Sequence, residues 1–207
     1  MSAGKADPRQ IRTRHKARTH ARILAVAARA IRERGIEGVC IADLMQAADL
    51  THGGFYAHFA NKSAMVAEAA QEGLAESRRA FLAAAAEANP SAPLREIIRR
   101  YVSRQHRDGP AEGCAMPALA GEVVRESPEV RRAFTAGVQE FVAGLADYLP
   151  DHPGQPALTT EERRDTALVL TAGMAGAVAL ARAVDDPAMS DRLLLAARRF
   201  YTAALAD

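Results

Sequence analysis

Residues 41–67, IADLMQAADLTHGGFYAHFANKSAMVA, decide how the rest of the chain is read. They spell an apolar helix, a one-residue corner at Asp49, a short second helix, and a third helix opening at Asn61. Two short helices joined by so tight a turn predict a helix-turn-helix. The second helix carries Thr51, His52, Gly53, Gly54, Tyr56 and His58 on one side, with Leu50, Phe55 and Phe59 left to pack inward. Such a face suits phosphates and base edges better than it suits a core. At the helix start, free N–H groups and the positive dipole end favour a phosphate oxygen beside Thr51, which can also serve as the N-cap. His52, on the exposed turn, is the candidate for a base edge. Two successive glycines each weaken a helix by about 1 kcal/mol relative to Ala, and close approach of a DNA backbone would account for both. Tyr56 and His58 are placed to hydrogen-bond phosphates. Lys62 stands in the first turn of the next helix, against the local dipole preference, which suits an external anion.

Upstream, Thr19 to Gly35 repeats apolar residues at helical spacing through Ile23, Leu24, Ala27, Ala28 and Ile31, with Gly35 as a C-cap. Residues 1–67 hold 11 Lys or Arg against 5 Asp or Glu, a balance of +6, whereas the whole chain is +2. A basic head therefore sits on an acidic body, which points to a polyanion as partner of the head alone. The chain divides into a basic arm at 1–18, a helix-turn-helix domain at 19–67, and a helical body at 68–207. The run Arg12, Arg14, His15, Lys16 and Arg18 in the arm would add phosphate or minor-groove contacts; its plainer role is a solvated tail.

This head resembles the TetR family of bacterial transcriptional regulators. The resemblance runs through Thr19, Ile23 and Leu24, then Ile41-Ala-Asp-Leu44, then Leu50-Thr51, Phe55-Tyr56, Phe59 and Lys62. Three positions depart from the family pattern: Asp49 for the corner glycine, Ile31 for an aromatic residue, and Cys40 for a Ser or Thr cap. Asp tolerates the left-handed corner, while Cys40 leaves a weaker cap. The family likeness implies backbone contacts from Thr51, Tyr56 and Lys62, a double-stranded DNA operator, and a homodimer.

Alanine-rich helix formers dominate and β-branched alternation is nearly absent, so the fold class is all-α. No signal sequence and no 18-residue uncharged apolar run is visible, and two cysteines suit a reducing compartment, so the expectation is a cytoplasmic protein with no membrane partner. The body punctuates into helices at about 62–88, 94–107, 116–126 and 128–149, then a proline-rich loop at 150–158. A Thr159/Glu162 capping box opens a helix to about 184, and Ser190 is taken as the cap of the last. Those final two helices are apolar on most of their circumference, with Leu168, Leu170, Gly173, Gly176, Val178 and Leu180 on one and Leu193, Leu195, Phe200 and Tyr201 on the other. They predict a four-helix interface between two copies.

The body is expected to hold a small apolar or electrophilic effector whose binding releases a repressor from DNA. Tyr101, Gln105, His106, Cys114, Met116, Leu119, Phe134, Phe141 and Met174 are the candidate lining residues, each apolar one equally a core residue. Cys114 enters a helix near His106 and several arginines, an environment that lowers a thiol pKa. The stretch from Gly113 to Phe134 is similar to the family branch of the N-ethylmaleimide repressor, although lysine stands only at positions 5, 16 and 62, so the body has no lysine partner for a thiol. Two rival readings remain: a thiol-based electrophile or redox sensor acting through Cys114, and a ligand-independent architectural DNA-binding protein. A Cys114–His106 nucleophile pair lacks any oxyanion-binding or cofactor signature, and no metal-ligand spacing is present, so neither catalysis, a cofactor nor a metal is expected.

Overall fold

The computed structural model describes residues 8–151 and 156–205, and among these there are helices and no strand. Helix α1 spans Pro8–Arg34 and α2 Ile41–Ala47. Between them Gly35 takes φ 76°, the left-handed conformation that ends a helix and that glycine adopts without strain. Asp49 makes the corner after α2 at φ 54°. Cys40 caps α2 with no side-chain hydrogen bond, the weak cap expected of it. The short second helix of the motif is present as a 3₁₀ helix, His52–Ala57. Six residues with two adjacent glycines and no side-chain cap give little to sustain a wider turn.

Helix α3, Lys62–Arg78, opens under Asn61, whose Oδ1 accepts from Ala64 N–H at 2.8 Å. It passes through a π turn at Arg79–Ala83 into α4, Ala84–Ala88, so the long helix expected at 62–88 carries a bulge. The helix expected at 94–107 is broken. Helix α5 ends at Tyr101 and α6 runs Arg104–Asp108, because Ser103 Oγ donates to Arg100 O and accepts from His106 N–H. A 3₁₀ turn at Pro110–Glu112 leads to α7, Ala115–Val123. Helix α8, Pro128–Ala146, starts under Ser127 with Pro128 in its first turn, and α9, Thr160–Ala183, starts at the Thr159/Glu162 capping box, both as expected. The last helix, α10, spans Pro187–Leu205. Ser190 is not its cap: it lies one turn inside, donating to Ala181 O at 2.5 Å, and Asp186 Oδ1 receives Ala188 N–H instead.

The apolar stripe of α1 (Ile23, Ala27, Ala28 and Ile31) is fully buried, as are Leu44, Phe55 and Met65. The buried residues form one cluster from Ile23 to Leu194, continuous from head to body. Helix α3 is the spine of that continuity, packing on α1 and, along its length, on α8 from Ser63 beside Ser127 to Leu74 beside Gly137. The α3–α8 crossing is close: a Cβ at Gly137 would lie 2.6 Å from Leu74 Cδ1. By length and composition α9 could cross a membrane, yet it packs on α6, α7, α8 and α10 with Leu170, Met174 and Val178 fully buried.

Candidate DNA-binding interface and the cavities of the body

Two aromatic rings hold the 3₁₀ helix down. Phe55 and Phe59 are buried with centroids 5.3 Å apart, and His20 of α1 stacks on Phe59 at 4.6 Å. What remains on the outer side is polar and unused by the fold. Thr51 is exposed and makes no side-chain cap bond. His52 is exposed, with its ring edge-on to Tyr56 at 6.4 Å, and Tyr56 is 63% exposed. Around Gly53 an added Cβ would meet nothing within 4 Å, so no neighbour in the fold requires glycine there; at Gly54 it would meet Met45 Cε at 3.5 Å. Lys62 begins α3, whose first turn holds no acidic residue.

His58 sits differently. It is half-buried, its ring 5.9 Å from that of His20, and burial, then the charges of His20 and Lys16, push its pKa below the ordinary histidine value. Its Nδ1 is buried with no hydrogen-bond partner. The basic run 9–18, set apart as an arm in the sequence, belongs to α1 from Pro8 onward; residues 1–7 lie outside the described residues. Arg12, Arg14, His15, Lys16 and Arg18 are all exposed along roughly 9 Å of helix.

The expected effector residues do not converge. Tyr101, His106 and Phe141 meet in an aromatic cluster, with Tyr101 4.7 Å from His106 and 6.0 Å from Phe141. Gln105 and His106 line a polar cavity of about 510 Å³ with Phe81, Arg99 and Arg100. Met116 and Phe134 line a different, apolar cavity of about 430 Å³ between α7, α8 and α9. Cys114, Leu119 and Met174 are core. Thr171, which lines the apolar cavity, was missed in the sequence; a lone hydroxyl on an alanine-rich helix gives no signal of its own.

Around Cys114 the corner is tightly engaged. His106 Nδ1 bonds Tyr101 O at 2.6 Å and its Nε2 accepts Cys114 N–H at 2.8 Å, so both ring nitrogens serve backbone groups and neither the thiol. Burial lowers the His106 pKa to about 4. The Cys114 thiol is fully buried and burial pushes its pKa up, against the helix-start and arginine effects expected from sequence. A solution electrophile reaches it only if this corner opens.

Head and body are joined by polar bonds at the end of α1. Buried Arg32 donates to Ala28 O, to Gly113 O at 3.0 Å and to Glu76 Oε2 at 2.6 Å, while Ile36 N–H donates to Glu122 Oε2 at 2.7 Å. Arg29 pairs with Glu112.

An exposed polar 3₁₀ helix, set by a left-handed corner on a buried aromatic base and carried by a larger helical body, defines a helix-turn-helix DNA-binding regulator. Residues 23–69 match the family model "Bacterial regulatory proteins, tetR family", so the head of the chain is a DNA-binding domain of the TetR type. No curated protein sequence matches the chain. Among solved structures it is similar to reduced NemR of E. coli, at 20% identity over 91% of this chain and 98% of that one, with TM-score 0.68. A TetR-family regulator from Agrobacterium tumefaciens matches at 22% identity over 93% and 100%, TM-score 0.68. One from Cytophaga hutchinsonii matches at 21% over 93% and 96%, TM-score 0.69. At these identities the likeness is one of fold.

Proposed function

We infer that the chain is a homodimeric repressor that binds a two-fold-related operator and is released from it by a small-molecule effector. The observation that carries the DNA-binding face is the contrast within residues 51–62. Phe55 and Phe59 are buried, whereas Thr51, His52, Gly53 and Tyr56 stand exposed and unengaged by packing. In this reading Thr51, Tyr56 and Lys62 hold phosphates, Gly53 and Gly54 admit the DNA backbone, and His52 meets a base edge. The exposed basic turns of α1 add electrostatic contacts. His58, half-buried against His20, contacts DNA only at its edge.

The dimer is supported by α9 and α10, where Val169 is 69% exposed, Leu180 56% and Phe200 68%, an apolar face that a second copy would cover. Control by an effector needs a ligand that binds one head arrangement more tightly than another. The bonds from Arg32 to Gly113 and from Ile36 to Glu122 supply a mechanical link from the end of α1 to α7 and the residue that leads into it. Selection of duplexes from a randomised pool by the purified protein tests the reading. The expected product has two inverted half-sites about one helical turn apart. His52→Ala then alters preference at one or two base pairs by about 1–3 kcal/mol. A pool left unenriched would overturn the regulator reading.

A further inference from the structure

The apolar cavity between α7, α8 and α9 is built unlike an accidental gap. Its floor is buried: Met116, Val142 and Thr171 are at most 4% exposed. Its walls come from three successive helices, and small residues on two of them keep it open. A Cβ added at Gly121 of α7 or at Gly176 of α9 would meet nothing within 4 Å. Every lining side chain is uncharged, so an ion entering it would lose its hydration with no counter-charge in return.

One lining side chain can hydrogen-bond, and it has no partner. Thr171 is 3% exposed and its Oγ1 is buried without a hydrogen bond. A buried hydroxyl left unpaired is unfavourable, whereas the same hydroxyl offers one donor and two acceptor sites to whatever occupies the cavity. A purely apolar side chain from a second copy would leave that group unsatisfied. A molecule with its own hydroxyl or carbonyl would satisfy it.

We propose that this cavity is the effector site, and that it takes a compact, uncharged, largely apolar molecule bearing a single hydroxyl or carbonyl that bonds Thr171 Oγ1. The proposal rests on the effector-released reading above and names the site and ligand class within it. Binding here also has a short path to the head. Met116 and Gly121 belong to the same helix as Glu122, which holds Ile36 N–H at the end of α1.

The test uses the full chain and three probes of one shape: 2-naphthol, naphthalene and the 2-naphthoate anion. The chain has no Trp, so naphthol fluorescence is read without interference from that residue. Wild type is expected to bind 2-naphthol and naphthalene saturably and to reject 2-naphthoate. Thr171→Val is expected to weaken 2-naphthol about 2- to 10-fold, the worth of one hydrogen bond, and to leave naphthalene unchanged. Gly176→Leu, and independently Gly121→Leu, fill the space and should abolish binding of both neutral probes while thermal unfolding stays cooperative. Absent or non-saturable binding, equal binding by the filled variants, or equal loss of both neutral probes in Thr171→Val would overturn the proposal. Operator affinity without probe is measured on the same proteins. Retained operator binding with no probe binding removes this site but leaves the regulator reading, and probe binding by a protein that selects no DNA sequence does the reverse.

Discussion

Two irregular segments of this molecule are made from the same kinds of residue and use them in opposite ways. Residues 48–61 and 102–114 each hold a break between helices, a 3₁₀ turn, at least one histidine and two glycines. In the second, the polar groups turn inward. His106 bonds two backbone groups, Ser103 spans the break, Gly113 O receives Arg32, and a Cβ at Gly113 would lie 2.7 Å from His106 Cδ2. In the first, Thr51 caps nothing with its side chain, Tyr56 stands 63% exposed, and the space around Gly53 is empty. Polar groups satisfied within the fold explain themselves through stability. Those left over at a rigid surface need a partner to explain them, and a glycine with open space around it belongs to the second kind.

The contrast breaks most readily at His106. Replacing it by Ala leaves Cys114 N–H and Tyr101 C=O buried without their partner, and adds a cavity. His106→Ala is therefore expected to cost about 3–5 kcal/mol in urea unfolding. Acid should act through the same residue. Its folded pKa of about 4 lies below the ordinary 6.5, so the unfolded chain takes up the proton first as pH falls. Stability is unaffected above about pH 6.5, declines between there and about pH 4, and has then lost about 3 kcal/mol through this group. His58, also shifted down, adds in the same direction. Unfolding midpoints measured across that window should fall for wild type and flatten in His106→Gln.

Substitutions in the first segment should leave unfolding nearly unchanged and move DNA binding instead. Lys62→Ala is expected to weaken binding to every sequence alike by about 1 kcal/mol and to make the slope of log affinity against log salt shallower by about 1. Anisotropy titrations at several salt concentrations read both effects. An unchanged slope would remove Lys62 from the phosphate contacts.

Much of this was legible in the sequence, for reasons that differ by region. The motif at 41–67 could be read because its signals are local: apolar spacing, a corner residue tolerant of positive φ at Asp49, and the Asn61 cap. The Thr159 and Ser127 caps were legible on the same ground. The break after Tyr101 was not, since Val102 and Ser103 are ordinary helix residues until Ser103 bonds Arg100 O and His106 reaches back to Tyr101 O. Ser190 misled for a related reason, because its hydroxyl is drawn into the core by Ala181 O while Asp186 takes the cap. Gly173 and Gly176 of α9 were read with the apolar residues around them as part of an interface between two copies. That Gly176 also walls a cavity depends on α7 and α8 and on Thr171, a juxtaposition no stretch of sequence contains.

The central claim is that the exposed face at residues 51–62 is shaped for DNA rather than for the fold. Its most direct test is Gly53→Ala beside Gly113→Ala, with urea unfolding and operator affinity measured on both proteins. The account predicts that Gly53→Ala unfolds like wild type or up to about 1 kcal/mol later, as helix propensity favours Ala, yet binds the selected operator at least about tenfold more weakly. Gly113→Ala should lose about 1–3 kcal/mol of stability and bind normally once folded. Wild-type operator affinity in Gly53→Ala would contradict the account, because the open space around that glycine would then not be the space DNA occupies.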